Sequence, residues 1–393
     1  MKVVVVGGGL QGIEATYLAQ QCGWQVILLD KNPLAPATGL CDIYYQLDVT
    51  VDAADELINI LNKADFIIPA LENNEALTIL KNIKEKIVAP IAFDVQAYGI
   101  SSSKIKSNRL FESLNIPMPK LWPNCNFPVI VKPTNASGSQ GVSKVLSEAH
   151  LYNLTGQKNF NAGNWVIQEY VAGPSFSIEV VGVNHHYGVI QVTDLQMDSS
   201  YDCKRVLAPS ALALGLQSTF QDIALQIAKG LNLTGIMDVE VILHEGELKV
   251  LEIDARLPSQ TPTAVLKSTG INILELLAQI YIEKKKPSFP MQTSGKSVIY
   301  EHIKIQNDTL EVTGEHVLTE AGPLSFYKNF FGADEAITNY LPNKDVWVAT
   351  LIILEENPEK VWQKRDLVIK RIIAECSTKD YIDSLPDTEI EAD

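Results

Sequence analysis

Met237-Asp238-Val239-Glu240-Val241-Ile242-Leu243-His244-Glu245-Gly246-Glu247-Leu248-Lys249-Val250-Leu251-Glu252-Ile253-Asp254-Ala255-Arg256 reads as two alternating β-strands joined by a short polar turn. In an extended chain every second side chain shares a face, so Asp238 lies beside Glu240, and Glu252 beside Asp254 and Arg256. Pairing across Glu245-Gly246 gathers as many as four carboxylates on one face, which a cation or Arg256 must offset. Hard carboxylate oxygens suit Mg²⁺, held by one or two such groups together with substrate phosphates. A solvated acidic hairpin is the bland alternative.

Upstream, Val129-Ile130-Val131 leads into Lys132-Pro133. The lysine ends a buried strand, where an unpaired ammonium is costly without an anion. Asn135-Ala136-Ser137-Gly138-Ser139-Gln140-Gly141 follows directly, a small-residue loop able to fold its amides over phosphates. Together they favour phosphate binding over a strand-end surface lysine. A polar helix opens at Ser101-Ser102-Ser103-Lys104 and stops at Asn115-Ile116-Pro117-Met118-Pro119. Strands around Trp165–Gln168 and Ser177–Val181, with helices over Ile223–Leu231 and Ile273–Ile282, complete an α+β module.

The N-terminal segment has a different texture. Val3–Val6, a glycine turn, an amphipathic stretch Gln11–Gln20 and the strand Gln25–Asp30 make a β-turn-α-β unit. With further strands at Ala64–Pro69 and Pro90–Phe93, residues 1–98 read as a Rossmann-like α/β domain. Gly7-Gly8-Gly9-Leu10-Gln11-Gly12 satisfies G-x-G-x-x-G, and Asp30 stands where a ribose-binding acid would lie. The same turn also suits other anions, an amino-acid carboxylate included, or serves only as a tight turn.

At 393 residues the chain exceeds one hydrophobic core, so several modules are expected. A net charge of −15 disfavours nucleic acid and anionic membranes as partners and leaves small molecules. Five scattered cysteines, none spaced C-x-x-C, indicate neither a zinc site nor a disulfide framework and point to a reducing cytoplasm. Apolar runs such as Val346–Leu354 fall short of a membrane span. The Pro/Ser/Gly-rich stretch after Lys284-Lys285-Lys286 marks a boundary, and residues 291–393 form a C-terminal extension with a helix around Val361–Ala374. Its last fourteen residues, with Asp380, Asp383, Asp387, Glu389, Glu391 and Asp393, are expected to be a solvated, mobile tail.

Lys104, Val131-Lys132-Pro133, the Ser/Gly loop, Gln168-Glu169-Tyr170-Val171-Ala172-Gly173 and the Glu240/Glu252 pair with Arg256 follow one another in an order that resembles the ATP-grasp ligases. The resemblance spans residues 1 to roughly 290. It implies a Rossmann-like domain at 1–98, an ATP-grasp domain at 99–290 with a lid over about 115–172, and an extension at 291–393 packing on it. A closer likeness, to the ligases of pyrrolysine biosynthesis that join 3-methyl-D-ornithine to L-lysine, rests on four segments. They are Gly8–Gly12, Ser200-Tyr201-Asp202-Cys203, Gly235–Glu240 and Glu252–Thr263.

Residue by residue, the resemblance implies ATP phosphates on Lys104 and Lys132, a lid from Ser137, Gly138 and Ser139 to Gly141, and adenine beside Glu169 and Val171. Mg²⁺ falls to Glu240 and Glu252. Asp254, where the family usually has Asn, is a further metal ligand or a partner for a substrate ammonium. Arg256 would stabilise the oxyanion of an amide-forming step, with Lys132 assisting phosphoryl transfer. The amides near Leu10 and Gln11, with Glu72, would hold the α-carboxylate and α-ammonium of lysine. Glu179, Asp238, Tyr201, Asp202 and Arg205 are the candidates for the ornithine-like substrate. A homodimer is compatible with this reading. The competing readings are an ATP-grasp ligase for another acid and amine, a nicotinamide-dependent oxidoreductase, and a nucleotide-sensing binding protein.

Overall fold

The computed structural model describes residues 1–393 except 52–53, 136–140, 157–161, 290–294, 343 and 387–393. The chain opens with β1 (Lys2–Val6), α1 (Leu10–Gln21), β2 (Gln25–Asp30), β3 (Ile43–Gln46), α2 (Ala54–Leu61), β4 (Phe66–Pro69) and α3 (Asn74–Ile83). These strands form a parallel sheet in the order β3-β2-β1-β4. Val3 to Val6 are fully buried, because helices cover both faces of such a sheet and β-branched side chains fill it. The expected strand at Pro90–Phe93 is reduced to a single bridge between Ile91 and Ile67.

Two short helices follow, α4 (Val95–Ser101), capped by the Asp94 carboxylate, and α5 (Lys104–Ser113). The expected helix opening across Ser101–Lys104 is thus the junction of two helices, and Lys104 begins the second. A small antiparallel sheet, β6-β5-β7, comes next, from β5 (Val129–Pro133), β6 (Ser143–Val145) and β7 (Trp165–Glu169), with α6 (Glu148–Thr155) between the last two.

The largest sheet begins with β8 (Ser175–Val183), β9 (His186–Met197) and β10 (Cys203–Ala208), followed by α7 (Leu214–Leu231). Next come β11 (Gly235–His244), β12 (Glu247–Asp254), α8 (Thr261–Thr269) and α9 (Ile273–Tyr281). Glu245 and Gly246 both take positive φ, the geometry of a tight hairpin whose twist matches its strands. The same sheet continues through β13 (Ser297–Gln306), β14 (Thr309–Val312), β15 (Ser325–Phe330), β16 (Ala333–Thr338) and β17 (Trp347–Glu355). α10 (Pro358–Glu375) and β18 (Asp380–Ile382) end it. Among the described residues its order is β12-β11-β8-β9-β10-β13-β17-β16-β15, with β14 on β13 and β18 on β14. The C-terminal segment is therefore joined edge to edge to the central one through β10 and β13. One core cluster unites side chains of β1, α1, α8, α9 and β13, so all three segments share packing.

The tail departs from expectation. Asp380–Ile382 pairs with β14, and Asp383 enters an ion cluster with the buried Lys204, Arg205 and Arg365. Burial works the other way, but Arg205 and Lys204 hold its carboxyl down to about 2. Acidic composition suggested solvation, whereas three buried cations, Lys204 and Arg205 on β10 and Arg365 on α10, capture one of those acids. Asp387, Glu389, Glu391 and Asp393 lie outside the described residues.

Candidate active site

The glycine turn is filled by its own chain. Gly8 N–H donates to Asp30 Oδ2 at 2.6 Å, and Asn32 N–H donates to Asp30 Oδ1 at 2.7 Å. A Cβ on Gly12 would sit 2.2 Å from the Gly7 carbonyl oxygen, and one on Gly8 would sit 2.8 Å from Ala35 Cβ. The glycines permit close packing, and Asp30 braces the turn instead of awaiting a ribose. The oxidoreductase reading loses its acid.

A cavity opens between the small sheet and the β11–β12 hairpin. Ile130, Val142, Val171, Ile242 and Leu251 give it apolar walls, while Lys104 and Lys132 stand at its polar end near Glu240 and Glu252. Such a slot fits a flat base with phosphates beyond it. Lys132 is 8% exposed, and burial pushes its ammonium down to about 8, a fall that Glu252 opposes and Lys104 reinforces. Lys104 is ion-paired with Glu252 at 2.7 Å. Glu169 and Val171 line the same cavity; Glu169 pairs with Lys249 at 2.5 Å, which against its burial keeps the carboxyl below its usual range. Gly141 has φ +73° and faces Pro133, returning the chain tightly onto β5. Ser137, Gly138 and Ser139 lie outside the described residues.

Register fixes the carboxylates. Glu240 stands opposite Glu252, and Asp238 opposite Asp254, so four acids share one face as the alternation predicts. Burial, then Glu252, pushes Glu240 up to about 8. Burial raises Asp254 to about 7 against the pull of Arg256. Two facing carboxyl side chains that offer only oxygen ligands, one of them raised by burial and by the other, fit a hard divalent ion. Asp254 also accepts from Arg256 Nη2 at 3.1 Å.

A second cavity shares Glu240, Glu252 and Tyr201 with the first and extends to Asp238, Asp254 and Arg256. Arg256 also pairs with Glu72, and Gln11 Nε2 donates to Glu72 Oε1 at 2.9 Å. Gln11, Glu72 and Arg256 thus form a chain from the N-terminal segment to the carboxylates. The Leu10 side chain packs on the core, leaving only its backbone for a ligand.

Two expectations need correction. Arg205 lies on β10, where Glu301, Gln196 and Asp383 take up its guanidinium; this ion cluster consumes its donors away from the substrate cavity. Glu179 is fully buried opposite Asp238 on β8 and does not line that cavity. Burial raises it to about 7, and it lies beneath the site. Sequence reasoning missed Glu315, which lines the second cavity, and Leu385 and Pro386, which line the first. No local pattern marks them, because each arrives from the C-terminal segment.

A base-sized slot ending in two lysines and a facing acid pair defines an ATP-dependent carbon–nitrogen ligase of the ATP-grasp class, and the comparisons agree. The ATP-grasp domain profile matches residues 101–260, and the PylC-like N-terminal domain profile matches residues 3–91. The 3-methyl-D-ornithine–L-lysine ligase of Methanosarcina barkeri is 36% identical, with 93% of this chain and 96% of that protein covered. The ligase of the same name from Methanosarcina acetivorans is 35% identical at the same coverage. The chain belongs to this ligase family. Among solved structures, the biotin carboxylase domain of Hydrogenobacter thermophilus 2-oxoglutarate carboxylase has a TM-score of 0.71 at 15% identity, covering 94% of this chain and 89% of that one. An L-amino acid ligase from Bacillus licheniformis has a TM-score of 0.68 at 16% identity, covering 93% and 96%. At that identity these two show the fold alone. Among the described residues no helix is long and apolar enough to cross a membrane.

Proposed function

We propose that this chain uses ATP to activate the carboxylate of 3-methyl-D-ornithine and joins it to the ε-amine of L-lysine. One observation carries the reading: two cavities, one fit for a nucleotide and one rich in acids, meet at Glu240 and Glu252. A dicationic diamino acid suits the second cavity, where Asp238, Glu240, Asp254 and Glu315 outnumber Arg256.

A carboxylate is a poor electrophile, so its activation precedes amide formation. Its oxygen forms a bond to the γ-phosphorus of ATP, the terminal anhydride breaks, and ADP departs. Lys104 and Lys132 face the charge that this in-line transfer spreads over the phosphoryl oxygens. Mg²⁺ held by Glu240 and Glu252 would neutralise nucleotide phosphate charge. The lysine ε-amine then attacks the acyl phosphate and phosphate leaves, giving an isopeptide bond. Arg256 stays cationic against burial because Asp254 and Glu72 flank it. Among the described residues its Nε–H is buried without a hydrogen-bond partner, a donor suited to the tetrahedral oxyanion. At the remote end, Glu72 would take the lysine α-ammonium, and the backbone amides of Leu10 and Gln11 its carboxylate.

The test is mass spectrometry of purified protein with ATP, Mg²⁺, L-lysine and D-ornithine, with ADP followed in parallel. A condensed product matching ADP one for one is expected. ADP release with a different acid, and none with D-ornithine, would overturn the substrate assignment.

A further inference from the structure

Lys204 lies on β10 with its side chain fully buried, where an ammonium without acceptors is costly. Among the described residues both of its partners come from the far end of the chain: it pairs with Asp383 Oδ1 at 2.5 Å and donates to the Ser384 carbonyl oxygen. The other carboxylate oxygen, Asp383 Oδ2, pairs with Arg205 Nη2 at 2.8 Å and with Arg365 Nη2 at 3.3 Å. Glu301, fully buried, meets the same two arginines, but one carboxylate does not offset three buried cations. Asp383 supplies the second negative charge.

The chain is held on both sides of Asp383. Upstream, Asp380–Ile382 pairs in parallel with β14, and the Tyr381 hydroxyl accepts from Arg365 Nη2 at 2.7 Å and donates to Asp383 Oδ2 at 3.1 Å. Downstream, Ser384 Oγ lies 3.5 Å from Ser199 Oγ, on the turn Asp198–Asp202 that carries Tyr201. Tyr201 lines the nucleotide-sized cavity, and one residue beyond Ser384 the chain reaches that same cavity: Leu385 and Pro386 line it and leave it open. Leu385 is 66% exposed, an aliphatic side chain covered by water unless another apolar surface covers it. A flat base in the slot is such a surface, and Pro386, with its φ fixed by the ring, offers a rigid one beside it.

We infer that residues 380–386 form a strap, latched by Asp383 on Lys204, Arg205 and Arg365, whose Leu385 and Pro386 complete the wall of the nucleotide cavity, so that nucleotide affinity depends on an ion cluster outside that cavity. The inference rests on reading the first cavity as the nucleotide site and adds a C-terminal determinant of its affinity. Asp383 is a positioning residue, because its carboxylate acts through the two residues that follow Ser384. None of the three lies within the ATP-grasp profile match, which ends at residue 260.

The experiment titrates the full chain with MgADP by calorimetry, a readout that needs no amino-acid substrate. Leu385→Ser, at an exposed position, should leave the Tm of the ligand-free protein unchanged. It should raise the Kd for MgADP about 5- to 30-fold, the range for uncovering most of one aliphatic side chain. A chain ending at Ser384 should lose at least as much affinity. Asp383→Asn should lower the Tm, because buried cations lose a counter-charge, and should weaken MgADP binding by a factor comparable to that of Leu385→Ser as the strap is released. Unchanged or tighter MgADP binding in Leu385→Ser, or in the chain ending at Ser384, overturns the wall. An Asp383→Asn protein that loses stability but binds MgADP like wild type overturns the latch and leaves the ion cluster a structural role only. Wild-type protein that binds no MgADP overturns the nucleotide-site reading itself.

Discussion

Lys132 illustrates at the residue scale how a buried charge costs stability. Its ammonium is buried at the end of β5 and pushed down to about 8, so the ligand-free fold prefers it neutral while the unfolded chain holds it charged up to about 10.5. The folded state binds fewer protons through that window, and the destabilisation it causes fades as pH climbs from 8 towards 10.5. On the proposed reading, nucleotide phosphates beside Lys132 would reverse the preference. At pH 9, binding of metal-free ATP should therefore take up nearly one proton, seen by calorimetry in buffers of different ionisation enthalpy. Lys132→Met should abolish that uptake and raise the Tm of the ligand-free protein at pH 7, because it removes a buried charge. Uptake that survives the substitution would show that another group carries it. Lys132 was legible from its place after three apolar residues. Glu315 and Asp383 were not, since an isolated acid in a loop or tail shows nothing of the cavity or cations it will meet.

At the scale of elements, the glycine turn and the acidic hairpin make opposite cases. The hairpin was readable because alternation and a tight turn are local, and the register places Glu240 opposite Glu252 as that pattern requires. The turn misled in one respect. Its glycines and Asp30 match a dinucleotide fingerprint, yet Asp30 closes on Gly8 and Gly12 packs on the Gly7 carbonyl. Which acceptor the Gly8 amide finds depends on the fold-back of residues 30–37, which a motif does not specify. Gly12→Ala should thus act through packing between α1 and β1, costing about 1–3 kcal/mol by overcrowding. Denaturant unfolding checks this. A neutral Gly12→Ala with impaired lysine binding would assign the glycine to the ligand instead.

Over the whole molecule, the site is assembled from three stretches of chain: Gln11 and Glu72 from the first, the lysines and carboxylates from the second, and Glu315 with Leu385 and Pro386 from the third. The modular order was legible in the sequence, whereas the continuity of the sheet through β10 and β13 was not, because strand pairing across that distance leaves no periodic trace. Convergence of so many acids has a global consequence. Burial raises Glu179 and Asp254 to about 7 and Glu240 to about 8, and lifts Asp238 as well. In the unfolded chain such carboxyls ionise near pH 4, so the folded state binds more protons between there and about 8 and loses stability as pH rises across that window. The Tm of the ligand-free protein should fall from pH 5 to pH 8, and Mg²⁺ with nucleotide should restore it most at the alkaline end. A Tm independent of pH would mean that the acids are already compensated.

The central claim is that the carboxylate of the ornithine-like substrate, and not that of lysine, is the one activated. It is tested most directly by running the reaction with ¹⁸O in one carboxylate at a time and weighing the released phosphate. Label from D-ornithine should appear as one ¹⁸O atom per phosphate, and label from L-lysine should stay in the product. Phosphate labelled from lysine, or from neither acid, would contradict the account.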